Sequence, residues 1–185
     1  YALTEGSNPS DPHIYFTNDG FDTYTELSKP IDADNGIPDN DFTRGQSFYD
    51  LMIEVDPTDD NNLYVGGIDL FRSTDGGENW KQISKWNGSV SGGFPVVHAD
   101  QHAMVFRPGS GNQAVFGNDG GVYYCNSLST ANVISSVTKP TITDLNVTQF
   151  YHAAIAPTAL DEYFLGGTQD NGTPYFDDPN DQNAI

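Results

Sequence analysis

Ser73-Thr74-Asp75-Gly76-Gly77-Glu78-Asn79-Trp80 reads Ser-x-Asp-x-Gly-x-x-Trp. An apolar, strand-like run precedes it, Leu63-Tyr64-Val65-Gly66-Gly67-Ile68-Asp69-Leu70-Phe71-Arg72, and a second strand starts on its aromatic, Trp80-Lys81-Gln82-Ile83-Ser84. Two strands joined by a tight Asp/Gly turn spell a β-hairpin. Asp75 is suited to accept backbone N–H groups across the turn. Gly77 can take a positive φ, and Trp80 can pack beneath; Ser73 opens the motif. Thr17-Asn18-Asp19-Gly20-Phe21-Asp22-Thr23-Tyr24 is a degraded copy that follows the strand-like His13-Ile14-Tyr15-Phe16, with Phe21 at the Gly position and Tyr24 at the Trp position.

A longer repeat frames these turns. Three segments share one pattern: an apolar run ending in Pro, a turn, and a second apolar run ending in Gly. They are Leu51 to Pro57 with Leu63 to Gly66, His102 to Pro108 with Ala114 to Gly117, and Tyr151 to Pro157 with Tyr163 to Gly166. The prolines stand 51 and 49 residues apart, and each Gly lies nine residues after its Pro. Helical periodicity is absent, and Gly, Asn, Asp and Pro separate the short segments, so the chain reads as all-β. A repeat of this length with four short strands, A to D, is a β-propeller blade. The expected organisation is blade remnants at 12–27, full blades at 47–84 and 101–140, and a partial blade at 148–176. Closed propellers have roughly 4–8 blades. The expectation is therefore one part of a longer, seven-bladed propeller, completed by the remainder of a chain or by a partner.

Composition narrows the function classes. The 185 residues are 36% hydrophobic and 12% aromatic, enough for a core. Seven basic against 26 acidic residues give a formal charge of −19. Such a surface repels phosphate backbones, disfavours nucleic acid, favours solubility and attracts divalent cations. Cys125 is the single cysteine, so neither an intrachain disulfide nor a cysteine zinc site can form. No apolar run approaches the ~20 residues of a membrane span. Tyr1 reads as the start of a processed or truncated chain, without a signal peptide.

The Ser73–Trp80 motif resembles the Asp-box, or BNR repeat, of sialidases, sortilin-like receptors, photosystem-assembly propellers and xyloglucan-hydrolysing glycosidases. That resemblance implies a fold rather than an activity, because the box is a turn. In such blades the A–B and C–D turns open on one face, and the B–C and D–A loops open around the channel mouth. The D–A connections here are long, Ser28 to Gln46 and Lys85 to Gln101, and long loops on a rigid scaffold carry function. His98-Ala99-Asp100-Gln101-His102, then Gly117-Asn118-Asp119-Gly120-Gly121-Val122-Tyr123, then Gln149-Phe150-Tyr151-His152 and Gly166-Gly167-Thr168-Gln169-Asp170-Asn171-Gly172 resemble secreted bacterial BNR-repeat proteins related to the xyloglucanase-like and sortilin-like groups. The resemblance covers most of 47–176. In the xyloglucanase-like enzymes two aspartates, facing each other between two seven-bladed propellers, invert a glycosidic bond. One lies in a Thr-Asp-x-Gly-Gly loop. Asn118-Asp119-Gly120-Gly121 resembles it, with the Thr replaced and the x missing.

Asp119 and Asp170 are accordingly the candidate catalytic pair, for inversion at ~6.5–9.5 Å separation; the competing reading has each bonded to its own Gly-rich turn. In an extended strand His98, Asp100 and His102 point the same way, and with His152 they could hold zinc or form a hydrogen-bonded network. Tyr151, Trp86 and Phe94 are candidate sugar platforms at the mouth. Asp32, Asp34, Asp39 and Asp41 flank Gly36 as a candidate calcium loop, though the Gly falls one place early for an EF-hand and Thr43 stands at the twelfth position; a solvated acidic loop is the alternative. Apart from these zinc and calcium candidates no cofactor is implied. A sialidase would need an arginine cluster, and the arginines are only Arg44, Arg72 and Arg107. The resemblance implies an extracellular or cell-surface propeller that binds or hydrolyses a glycan. The alternative is a non-catalytic propeller that takes a protein or peptide at the channel mouth, as receptor, assembly factor or adhesin.

Overall fold

The 63–66 run is apolar at every position, as a strand covered on both faces must be. In the computed structural model, which describes residues 1–87, 94–131, 137–138, 149–155, 163–169 and 172–176, Leu63, Tyr64 and Val65 are at most 1% exposed. Successive side chains of a strand point to opposite faces. Tyr64 enters one apolar cluster, with Met52, Leu70, Met104, Phe116 and Cys125, and Val65 enters another, with Ile14, Phe42 and Phe71. Each fully buried side chain of this size contributes about 1.5–3 kcal/mol.

Those clusters are the seams between three antiparallel sheets of the unit formed by residues 1–142. The middle sheet runs β4 (Met52–Val55), β5 (Leu63–Gly66), β6 (Leu70–Ser73) and β7 (Lys81–Gln82) in chain order. Beside it lies β8 (Gln101–Phe106), β9 (Ala114–Asn118), β10 (Gly121–Cys125) and β11 (Val137–Thr138), again in chain order. On the other side stand β1 (Ala2–Thr4), β2 (His13–Phe16) and β3 (Thr25–Glu26). First strands β4 and β8 touch, and the Gln101 N–H donates to Gly67 O at 2.9 Å, tying one sheet to the next. Up-and-down four-stranded sheets stacked face to face, inner strand beside inner strand, make this an all-β partial propeller.

The strand Ala2–Thr4 pairs with His13–Tyr15 and extends the first sheet beyond the two strands expected there. Three residues ending at a Glu/Gly loop carry too short an alternation to be read from sequence. A second unit, 143–185, contains β12 (Phe150–Ile155), β13 (Phe164–Thr168) and β14 (Tyr175–Phe176). In both β8 and β12 the register shifts at the second residue, His102 and Tyr151, six positions before the repeat prolines. Among the described residues no helix is long and apolar enough to cross a membrane.

The two Asp/Gly turns are built alike. Ser73 Oγ accepts from Gly77 N at 2.9 Å, and Asp75 Oδ1 accepts from Ser73 Oγ at 2.7 Å and Asn79 N at 2.9 Å. In the earlier turn Thr17 Oγ1 accepts from Phe21 N at 3.0 Å, and Asp19 accepts from Thr17 Oγ1 at 2.7 Å and Thr23 N at 3.0 Å. Gly77 and Phe21 hold the same position, with φ of 93° and 72°. Trp80 Nε1 donates to Ser28 O at 2.9 Å, fastening the turn to the neighbouring blade.

Two outcomes follow from this chemistry. Gly77→Ala forces a side chain into the left-handed region; it is expected to cost about 1–3 kcal/mol in urea unfolding. Phe21→Gly relieves the equivalent conformation and should be neutral or stabilising by the same measurement. Hydrogen bonds from Asn79 and Ser73 hold Asp75 down at about 2, and those from Thr23 and Thr17 do the same for Asp19. A depressed carboxyl stabilises the fold above its unfolded value of 3.8 and loses that contribution as pH falls towards 2. Stability should therefore drop across that window, and less steeply in Asp75→Asn.

Candidate functional site

Strands that alternate in direction send the B–C loops and the D–A connections to the same end of a sheet. At that end of the first unit stand residues 28–51, the 67–69 loop, residues 83–87 and 94–100, and the 118–121 loop. Two groups of polar side chains are gathered there.

The first is closed on itself. Asp32, Asp34 and Asp69 bring carboxylate oxygens within 4.8 Å of one another. Arg44 lies among them: its Nη2 is 2.8 Å from Asp32, 2.6 Å from Asp34 and 3.5 Å from Asp69. Lys85 Nζ bonds the other Asp34 oxygen, and Gln82 Nε2 donates to Asp69 at 3.1 Å. Burial works against ionised Asp34, and hydrogen bonds from Lys85 and Arg44 overcome it, holding the carboxyl below its usual range. Asp69 has weaker partners, Arg44 only at 3.5 Å and the neutral Gln82 amide: burial and then Asp32 push it up to about 7 against the pull of Arg44. Arginine and lysine thus sit where a calcium loop would place its ion. Asp41 turns elsewhere, accepting from Thr43 Oγ1 at 3.0 Å and from Gly45 N at 3.1 Å, and Asp39 is exposed.

The second group opens towards solvent and is centred on Asp119. The turn it occupies is stabilised by its neighbour: Asn118 Oδ1 accepts from Gly120 N at 3.1 Å. Asp119 is left to other elements. Tyr49 Oη donates to its carboxylate at 3.0 and 2.9 Å, and His102 Nε2 lies 2.7 Å from Oδ1. The Tyr49 and His102 rings meet edge to face at 5.0 Å. His102 reaches Asp119 because it is the bulge residue of β8, where the extra residue re-aims the side chain. Asp119 is 15% exposed and His102 36%, so the carboxylate is cradled yet reachable. Phe48 and Tyr49, 67% and 47% exposed, form an aromatic rim.

The His98-Asp100-His102 alternation is not realised. Extended backbone stops at Asp100, whose φ is +66°, and strand pairing begins only at Gln101. His98 Nδ1 lies 3.1 Å from Ala99 O, and its Cβ packs so near Gly120 that a Cβ there would sit 2.4 Å away. Gly120 is thus the residue that lets the His98 loop pass. Trp86 is exposed in the second long connection, and Lys85 lies over the ring of Phe94 at 5.7 Å. Tyr151 and His152 are exposed on β12 of the second unit. Asp170, the proposed partner of Asp119, lies outside the described residues.

Tyr49 and Asp50 belong to no motif, and sequence reading passed over them. Their one signal is position: an aromatic-acid pair directly before an inner strand, at the mouth end. At the opposite end, a cavity of ≈ 200 Å³ is lined by Arg72, Asp75, Trp80, Lys81, Ile83 and Leu128, most of them residues of the turn and its flanking strands.

Replacing Arg44 tests the closed group. Arg44→Met leaves Asp32, Asp34 and Asp69 facing one another without their shared counter-ion, at an expected cost of about 3–5 kcal/mol in chemical denaturation. Arg44→Lys should restore only part of this, because one ammonium cannot match the planar fork.

No protein-family model matches the chain, and no curated protein sequence matches it. Among solved structures the chain is similar to one described as YCF48 bound to D1 peptide, at 15% identity and a TM-score of 0.26. The match covers 94% of this chain and 60% of that one, so the chain spans less than two thirds of that protein's length.

Proposed function

We propose that this chain is part of an extracellular Asp-box propeller whose channel-mouth face binds a glycan at Asp119. The two turns with one hydrogen-bond scheme support the Asp-box reading. The glycan reading rests on a single observation: the Asp119 carboxylate is held by Tyr49 and His102 instead of by its own turn, beside the exposed rings of Phe48 and Tyr49. A sugar offers an apolar ring face and a rim of hydroxyls. An exposed aromatic takes the face, and a carboxylate with a free lone pair accepts the hydroxyls. Asp119 has that spare capacity, since two donors occupy fewer than the roughly four acceptor sites of a carboxylate.

Hydrolysis is the stronger form of the same reading. Asp119 would then protonate the glycosidic oxygen or activate water, together with a second carboxyl at the ~6.5–9.5 Å that inversion requires. Tyr49 and His102 would orient Asp119 and steady its charge.

The test is titration calorimetry of the full-length protein with soluble β-glucans, paired with an assay for released reducing ends. Binding is expected, weakened roughly tenfold or more in Asp119→Asn, the scale for loss of a hydrogen bond to a charged group. Reducing-end release that Asp119→Asn abolishes assigns hydrolysis; binding without release assigns a non-catalytic glycan binder. Unchanged affinity in Asp119→Asn, or no glycan binding, contradicts the proposal and leaves the protein-ligand alternative.

A further inference from the structure

Directly beside Tyr49 is a charged group that glycan binding does not use. Asp50 is 0% exposed, and neither of its carboxylate oxygens has a hydrogen-bond partner. Its own amide N–H donates to Gln46 O at 3.1 Å. Ser47, three residues earlier and 2% exposed, likewise has an Oγ without a partner. So one turn buries three oxygens that lack a well-formed hydrogen bond, the Asp50 amide N–H offering its own carboxylate only a weak pull.

The charges that act on Asp50 are all acidic: Asp100, Asp119 and Asp41. Most arginines and lysines among the described residues are engaged elsewhere. Lys29 bonds Asp11, Arg44 and Lys85 bond the Asp32–Asp34–Asp69 group, Arg72 donates to Leu128 O and Asn62, and Arg107 donates to Gln113. A buried carboxylate with neither donor nor counter-ion is strongly unfavourable. Burial pushes Asp50 up to about 8, so a proton gives one way out. A proton, however, neutralises the carboxyl but leaves its carbonyl oxygen without a donor and adds an O–H that itself needs an acceptor. A hard divalent cation satisfies carboxylate and hydroxyl oxygens together.

Position adds a second argument. Asp50 stands two residues before β4 and Asp100 immediately before β8, the inner strands that touch. We propose that Asp50, with Ser47 Oγ and the Asp100 carboxylate, forms a Ca2+ site that clamps the entries of two adjacent inner strands. Asp32, Asp34 and Asp69 differ in kind, because Arg44 and Lys85 already lie among them.

The test is thermal unfolding of the full-length protein, stripped with chelator and then given CaCl2 or NaCl of equal ionic strength. Calcium at about a hundredfold above its dissociation constant is expected to raise the melting temperature by roughly 5–10 °C over the sodium control. Asp50→Asn keeps the shape and removes the charge; it should melt no lower than the wild type without calcium and lose the rise. Asp100→Asn provides the same readout should Asp50→Asn fail to fold. Asp59→Asn, on an exposed turn, should keep the rise. A wild type indifferent to calcium, or an undiminished rise in Asp50→Asn and Asp100→Asn, overturns the site and assigns the effect to screening of an acidic surface.

Discussion

Burial of β5 on both faces is the constraint on which the first unit depends. Tyr64 and Val65 are adjacent in sequence and lie in different apolar clusters, so one strand joins two seams. A sheet with a single apolar face could end in a sandwich. A sheet apolar on both faces needs a neighbour on each side, and the short up-and-down strands supply it as stacked blades. Tyr64 against Phe106 at 5.7 Å and Phe42 against Phe71 at 5.7 Å are edge-to-face contacts, one in each seam. The molecule is fixed by face-to-face packing, and the ends of its strands are left to differ.

Those ends have divided the work. At one end Asp75 and Asp19 use their carboxylates on the backbone and side chains of their own turns, which lowers both groups to about 2. At the other end Asn118 takes the turn N–H that an aspartate would otherwise accept, and Asp119 is offered to Tyr49 and His102. Asp69, at the corresponding end of the preceding blade, is 0% exposed beneath Arg44 and Gln82. These four aspartates, all in or beside turns between strands, thus have three fates. Burial and donor supply decide which of them can meet a ligand.

The fold was legible because its signal is periodic. The Pro-to-Gly interval located both members of each inner strand pair, and Ser73 to Trp80 located a turn whose bonds are local. The site was legible only in part. Asp119 stood out through Asn-Asp-Gly-Gly, but its holders come from distant chain segments, Tyr49 being 70 residues away. His102 was singled out for the wrong geometry. Alternation presumes an unbroken strand, and a positive φ at Asp100 followed by a bulge at His102 breaks it twice. The Asp32–Asp41 loop looked like a cation site because its carboxylates alternate. What sequence spacing omits is that Arg44, ten residues from Asp34, folds back among them. Long-range partners, bulges and counter-ions are properties of packing, and a linear pattern does not encode them.

The most direct test of the account is a crystal structure of the full-length protein soaked with a β-glucan oligosaccharide. The account predicts a sugar ring against Phe48 or Tyr49, with a hydroxyl or the glycosidic oxygen within hydrogen-bond distance of Asp119. An oligosaccharide seated instead in the cavity beside Asp75 and Trp80, with Asp119 untouched, would contradict it.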